Sequence, residues 1–340
     1  MAPGVLQKPD SGRKVVFLRV NIFHNRIKTA GKLNQSSLSS LMKINYSEEV
    51  QLAKRTGKPI LALESTIIAQ GMPFPQNLDF ANRAERLCRD SGVTPATIAI
   101  LNGNIHVGLE NEDLEFIAKN DDVKKVSRRE LGMAIVENWH GASTVSSTMH
   151  IAHQAGIPVF STGGIGGVHR GAEYSFDVSQ DLTALATIPM IVISAGAKAI
   201  LDLPKTLEMM ETLGITVLGY GVDEFPAFYS RESGGFRIHP VSSPGGVAAI
   251  YKENISAGLS SAVLVANPVP QENEIPAQEI ESIIESACKT AADQNIIGKE
   301  LTPFLLKEIM EKTGGRSLDT NKALALNNIH LGIQIVKELA

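Results

Sequence analysis

Cysteine is scarce in this sequence. Its 340 residues include only two cysteines, Cys88 and Cys288, which cannot form a framework of several disulfides and do not show the paired spacing of a zinc site. The sequence therefore excludes the small disulfide-stabilised class of protein and favours a reducing compartment, with the cytoplasm as the expected location. Cys88 lies on the apolar stripe of a predicted helix, so we expect it to be a packing residue.

Long apolar runs and an excess of positive charge are also absent. No uninterrupted apolar run reaches the roughly 20 residues of a membrane-spanning helix, so no membrane association is expected. The formal net charge of −4 gives no broad cationic surface, which argues against a nucleic-acid polymer as the partner. A small anionic ligand needs only local positive charge. The hydrophobic content of 43% can fill a large core, as is typical of a globular protein.

Residues 1–43 differ from the rest of the chain because acidic residues are almost missing there. This segment carries eight Lys or Arg against the single acid Asp10. A basic, serine-containing start is typical of a segment that targets a protein to mitochondria or another organelle. A disordered extension, or an upstream reading of a chain that starts at Met42, would explain the same composition. We therefore treat residues 1–43 as an extension and predict a single catalytic domain over residues 44–340.

From residue 44 onward, short apolar runs alternate with helical patterns. Nearly continuous apolar strands separated by helices are typical of a parallel sheet covered on both faces. The predicted fold class is therefore α/β, with three α/β/α layers around a mostly parallel central sheet. The strand candidates lie within 59–68, 94–103, 157–164, 189–196, 215–221 and 261–270, and the helix candidates within 77–90, 142–155, 203–213 and 279–295.

A glycine-rich stretch, "STGGIGGVHRGAE", follows one of the apolar strands. It fails the dinucleotide pattern G-x-G-x-x-G because His169 occupies the third glycine position. It also fails the phosphate-loop pattern, because Ala172 and Glu173 stand where Lys and Ser or Thr are required. Glycine still allows backbone N–H groups to converge on an anion. His169 and Arg170 would add donors there, and a plain turn with solvated charges is the alternative.

Three charged residues interrupt or follow apolar segments. Glu64 lies in "ILALESTIIAQG", where burial favours a protonated carboxyl that could act as a general acid. Lys198 follows the run "MIVISAGA", and a partly desolvated lysine can attack a carbonyl carbon. An ordinary ion pair for Glu64 and a passive phosphate contact for Lys198 are the alternatives. Lys125 lies in a basic cluster that a solvated surface would also explain.

Seven blocks of sequence together resemble the pseudouridine-5′-phosphate glycosidase family. They are "ALESTIIAQGMPFPQN", "PATIAILNG", "KVSRREL", "STGGIGGVHRGAE", "SAGAKAILDL", "ANPVP" and "GKELTPFLL". The resemblance extends over about residues 44–340, in order and without large gaps, and residues 1–43 lie outside it. It implies reversible conversion of pseudouridine 5′-phosphate and water into uracil and ribose 5-phosphate. It also implies an α/β/α fold, a homotrimer and a divalent metal such as Mn²⁺.

The same resemblance implies roles for individual residues. Glu64 of the LEST block would be the proton donor, Lys198 of the AGAK block the nucleophile, and Asp177 the residue linked to the metal. The implied substrate-binding residues are Lys125, Val145, His169, Ser179, Gln180, Asp181 and Asn321. Each catalytic position holds the expected residue type, and no kinase segment is visible, so a kinase that phosphorylates pseudouridine would be a separate protein.

The chemistry of a carbon–carbon glycosidic bond explains why a lysine would be needed. The leaving atom of the base is a carbon, so cleavage requires a proton at that carbon and an electron sink at C1′ of the sugar. A lysine supplies such a sink as an imine, which paired carboxylates do not. The alternatives are a lysine-dependent sugar-phosphate lyase or aldolase, and a non-catalytic protein that binds a sugar phosphate or nucleotide. Release of uracil distinguishes these functions.

Overall fold

The central element of the computed structural model is one sheet. The structure describes residues 42–340 apart from 297, 299 and 300, and within them eleven strands pair into this sheet. The strands are Ile44–Tyr46 (β1), Ile60–Leu63 (β2), Thr94–Leu101 (β3), Asn104–Val107 (β4), Lys124–Val126 (β5), Gly141–Ser143 (β6), Val159–Ser161 (β7), Ile191–Ser194 (β8), Thr216–Tyr220 (β9), His239–Val241 (β10) and Val263–Ala266 (β11). Residues 44–340 form one compact unit. Of the predicted extension, residues 1–43, the first 41 lie outside the described residues.

The strand order is β1-β4-β3-β2-β7-β8-β11-β9-β10, with β6 paired to β3 and β5 paired to β6. All these pairs are parallel except β3 with β4 and β3 with β6. β3 is long enough to pair with β2 through its first half and with β6 through its second half. The result is a mostly parallel sheet, as predicted.

The register of the central strands aligns their carboxyl ends. Leu63 of β2 pairs with Ser161 of β7, Ser161 pairs with Ile193 of β8, and Ser194 pairs with Ala266 of β11. The chain segments that leave these strands therefore start from the same edge of the sheet. Ligands of open α/β sheets bind at such an edge.

Helices lie on both faces of the sheet. In the described part of the chain they are Glu48–Thr56 (α1), Thr66–Ala69 (α2), Gln76–Asp90 (α3), Asn111–Lys119 (α4), Leu131–Val136 (α5), Val145–Gln154 (α6), Ala172–Ser175 (α7), Gln180–Thr187 (α8), Leu203–Thr212 (α9), Pro244–Ser256 (α10), Ala277–Asp293 (α11), Leu301–Lys312 (α12) and Arg316–Lys337 (α13), with 3₁₀ turns at Arg128–Glu130 and Gln271–Asn273. One layer contains α13 with α3 and α10, and the other contains α6 with α8 and α9. The three-layer prediction is confirmed.

Burial explains why the strands read as continuous apolar runs. All eight residues of β3 and all four of β8 and β11 are buried, as expected for strands covered on both faces. Burying each large aliphatic side chain contributes about 1.5–3 kcal/mol. On one face, Gly332 of α13 brings that helix so close to the sheet that an added Cβ would lie 3.0 Å from Leu61.

The six predicted strands are all present, and two boundaries needed correction. The apolar segment 59–68 is a strand only to Leu63, and the chain then turns into the short helix α2, so Glu64 follows the strand instead of lying inside it. The helix predicted from residue 142 begins at Val145, because residues Gly141–Ser143 pair as β6. In the described residues, no helix combines the length and apolarity needed to cross a membrane. Cys88 is fully buried, as predicted.

Candidate active site

A cavity at the carboxyl edge of the sheet contains four of the residues singled out in the sequence. Glu64, Lys125, Lys198 and Asn321 all line this cavity, which has an empty volume of about 480 Å³. They come from four separate elements, namely the end of β2, β5, the loop after β8 and helix α13. The structure thus brings a buried acid and two lysines to one place.

Glu64 is held in a state that favours its neutral form. The residue is 7% exposed, and the hydroxyl of Thr162, which follows β7, donates a hydrogen bond to its Oε1. Burial raises the pKa of Glu64 above the ordinary glutamate value, and this effect outweighs the lowering by nearby Lys198 and by the Thr162 hydrogen bond. A carboxyl with a raised pKa can donate a proton at a pH where an exposed glutamate is ionised.

Lys198 is positioned by contact between its loop and the glycine-rich stretch. Its backbone N–H donates to the carbonyl of Ile165 at 3.0 Å, and Ala197 bridges to the same residue. Gly196 has φ +90°, and an added Cβ there would lie 2.3 Å from the carbonyl oxygen of Pro226. Only glycine fits this turn without displacing the backbone. The turn therefore fixes where the lysine side chain starts.

Asp181 holds the glycine-rich stretch against helix α6. Its Oδ1 accepts from the N–H of Ser146 at 3.0 Å, and its Oδ2 accepts from the N–H of Gly166 at 2.8 Å. The residue is 6% exposed, so both bonds are buried. An added Cβ on Gly166 would lie 2.2 Å from the hydroxyl of Ser179. Both carboxylate oxygens are thus used by the protein backbone, and a contact of Asp181 with substrate stays a prediction.

The neighbouring predicted residues also have partners within the protein. Ser179 caps helix α8 by accepting from the N–H of Asp181 at 3.2 Å. The Oε1 of Gln180 accepts from the N–H of Arg129 at 3.0 Å. Val145 is the first residue of α6 and is 1% exposed. Their substrate-binding roles likewise stay predictions.

His169 and Asp177 lie together beside the cationic side of the site. The backbone N–H of His169 donates to the carbonyl of Asp177 at 3.0 Å. Burial lowers the pKa of His169, and the charges of Lys125 and Lys198 lower it further, against an opposing effect of Asp177. His169 is therefore favoured as a neutral ring near two lysines. Arg170, the other donor expected in this stretch, is instead paired with Glu281 at 2.6 Å.

The described residues offer a divalent metal few protein ligands. They contain no group of three or more His, Cys, Asp or Glu side chains that could hold an ion. Asp181 is occupied by two backbone N–H groups. Of the other carboxylates between residues 161 and 181, Glu173 is paired with Lys205, which leaves Asp177. One carboxylate with water and a substrate phosphate suits Mg²⁺-like ions, which keep most of their water.

Thr162, Gln70 and two residues of α12 belong to the site but were not singled out from the sequence. Thr162, the hydrogen-bond partner of Glu64, is an ordinary threonine in sequence, although its position directly after a strand was a usable signal. Gln70 lines the cavity from the segment after α2, and Pro303 and Leu306 of α12 line it as well. Nothing in the spacing of α12 connects it with Glu64, because the contact depends on the tertiary fold.

Comparison with known sequences identifies relatives along most of the chain. Residues 49–338 match the family described as "Indigoidine synthase A like protein". A protein of Nocardioides sp. named pseudouridine-5′-phosphate glycosidase is 50% identical over 297 residues, covering 87% of this chain and 97% of its own length. A protein of Staphylococcus aureus with the same name is 50% identical over 292 residues, covering 86% of this chain and 95% of its own length.

Solved structures of two proteins resemble this fold. An indigoidine synthase A-like protein from Thermotoga maritima superimposes with a TM-score of 0.80 at 37% identity, covering 88% of this chain and 97% of that protein. The prealnumycin C-glycosynthase AlnA, solved in complex with ribulose 5-phosphate, superimposes with a TM-score of 0.80 at 31% identity, covering 87% of this chain and 97% of that protein.

Proposed function

The chain belongs to the indigoidine synthase A-like family and, within it, to the pseudouridine-5′-phosphate glycosidases, and we propose that it cleaves the C-glycosidic bond of pseudouridine 5′-phosphate. Water is the second substrate, and the products are uracil and ribose 5-phosphate in a reversible reaction. The observation that carries the proposal is the shared cavity of Glu64 and Lys198 in a chain about half identical to proteins of that name.

The ring-opening step uses both residues. The Nζ of Lys198 bonds to C1′ of the sugar as the bond from C1′ to the ring oxygen breaks. Glu64 gives its proton to that ring oxygen, which becomes a hydroxyl. A neutral Glu64 is required for this step, and burial raises its pKa in the needed direction.

The carbon–carbon bond then breaks with the lysine nitrogen as the electron sink. The Lys198 nitrogen carries two protons once it has bonded to C1′ and returns one to the Glu64 carboxylate, and Glu64 then delivers that proton to C5 of the base. The C1′–C5 electron pair restores the double bond of the base, and the nitrogen lone pair forms an imine with C1′. Water hydrolyses the imine, which releases ribose 5-phosphate and returns the amine of Lys198.

The remaining assignments extend the proposal to substrate and metal binding. Lys125 in the cavity and the neutral ring of His169 beside it suit a phosphate or a sugar hydroxyl. Asn321 lines the same cavity and suits a sugar hydroxyl. Mn²⁺ or another divalent cation, held through Asp177, would neutralise phosphate charge when bound. A homotrimer, and a separate kinase that supplies the substrate, complete the proposal.

Incubation of the purified protein with pseudouridine 5′-phosphate and Mn²⁺, followed by chromatography of uracil, tests this function. We expect uracil release that Lys198→Ala abolishes and that a chelator reduces. Lys205→Ala is the matched control, because Lys205 is paired with Asp202 and Glu173 on an exposed surface. No uracil from the folded wild type would refute the activity, and release that survives Lys198→Ala would refute the covalent step.

A further inference from the structure

Gln70 presents an unused hydrogen-bond acceptor at the cavity. Its Nε2 donates to the carbonyl of Val123 at 2.7 Å. Its Oε1 is buried and has no hydrogen-bond partner among the described residues. In that part of the chain, the hydroxyl of Ser161 is the one other buried side-chain N or O atom without a partner. Leaving a buried polar atom unpaired costs about 1–3 kcal/mol, so such an atom calls for a ligand.

The contact with Val123 fixes which way the amide faces. A backbone carbonyl can only accept, so the NH₂ group of Gln70 must point to it. The oxygen is therefore the atom of Gln70 that lacks a partner, and it can only accept. A ligand group that satisfies Gln70 must be a donor such as N–H or O–H.

Gln70 lies where this cavity meets a second one. A second cavity, with an empty volume of about 830 Å³, adjoins the first and shares Gln70, Pro303 and Leu306 with it. Glu64 and Lys198 line the first cavity but not the second. Gln70 therefore lies at the boundary with a cavity that neither the acid nor the nucleophile lines, and Pro303 and Leu306 provide apolar walls for a flat ring.

We propose that Oε1 of Gln70 accepts a hydrogen bond from a ring N–H of the base and thereby selects the base. This inference rests on the proposed function, because that function supplies the base. A uracil attached through carbon keeps both of its ring N–H groups, whereas a uracil attached through nitrogen keeps one. A buried acceptor that requires an N–H discriminates strongly against an analogue that lacks it.

The test compares pseudouridine 5′-phosphate with its N1-methyl and N3-methyl analogues. We expect the wild type to lose roughly 5- to 140-fold in kcat/KM with one of the two methylated substrates, the fold-change that corresponds to an unpaired buried acceptor. Gln70→Met keeps the length of the side chain but has no acceptor. In this variant kcat/KM for the three substrates should agree to within about threefold, because the contact that distinguishes them is gone. Gln51→Met is the matched control, since Gln51 donates to a backbone carbonyl on an exposed surface.

A purely structural role of Gln70 would lower activity on all three substrates equally and leave their ratio unchanged, which would overturn the proposal. Equal rates with both methylated substrates in the wild type would overturn it as well. Binding of uracil, 1-methyluracil and 3-methyluracil in the presence of ribose 5-phosphate, measured by calorimetry, gives a readout without turnover. If the protein does not turn over substrate but still discriminates among the three uracils in a way that depends on Gln70, the proposed reaction is wrong and the contact is supported. If the discrimination in binding persists in Gln70→Met, the contact alone is refuted.

Discussion

Replacing Asp181 by Asn tests whether this carboxylate acts as a clamp, that is, whether its two bonds to backbone N–H groups hold the glycine-rich stretch against α6. Its two oxygens accept from the buried N–H groups of Ser146 and Gly166. An amide has one oxygen, so one N–H would face an NH₂ group. Loss of one charge-assisted bond and weakening of the other add up to about 2–4 kcal/mol.

The loss should be visible in thermal unfolding. For a unit of about 300 residues, 1 kcal/mol corresponds to roughly 1.6 °C, so Asp181→Asn should lower Tm by about 3–6 °C. Activity should fall as well, because Ile165 in the clamped stretch holds the backbone of Lys198. Tm by calorimetry and uracil release measure the two effects.

Asp202→Asn is the matched control. Asp202 caps α9 by accepting from the N–H of Lys205 at 3.1 Å, and Asn caps a helix about as well as Asp. Its Tm should stay near that of the wild type. If Asp181→Asn were as stable and as active as Asp202→Asn, the two backbone bonds would not be supporting the site, and the clamp would be refuted.

Three further predictions concern the acid and the glycine-rich stretch. Burial raises the pKa of Glu64, so the folded protein keeps a proton that the unfolded chain loses. The Tm of the wild type should therefore fall as pH rises from the ordinary glutamate pKa through the raised one. In a pH series of calorimetry scans, Glu64→Gln should not show this fall. Thr162→Val removes a hydrogen bond that lowers the pKa of Glu64, so the alkaline limb of kcat/KM should move to higher pH; an unmoved limb would mean that another group titrates. Gly166→Ala places a Cβ 2.2 Å from the hydroxyl of Ser179. It should lower both Tm and uracil release, because it displaces the stretch that positions Lys198. A Tm equal to that of the wild type would show that the stretch accommodates the methyl group without strain.

The class of fold could be read from the sequence because it depends on local pattern. Each apolar run of four to eight residues between helical stretches, such as those that became β3 and β8, reports burial on both faces of a sheet. Glu64 and Lys198 are candidates from the sequence because each is a charged residue within or directly after an apolar run.

The cavity itself was decided by the tertiary structure. Glu64, Lys198 and Asn321 are far apart in sequence, and they meet because β2 pairs with β7 and β7 with β8 while α13 packs across them. Lys125 joins them because β5 is linked to β2 through β6 and β3. Strand order and register arise from such non-local pairing, which composition and periodicity do not encode. The raised pKa of Glu64, the clamp of Asp181 and the free oxygen of Gln70 all depend on burial and on partners from other elements, so they exist only once the chain has folded.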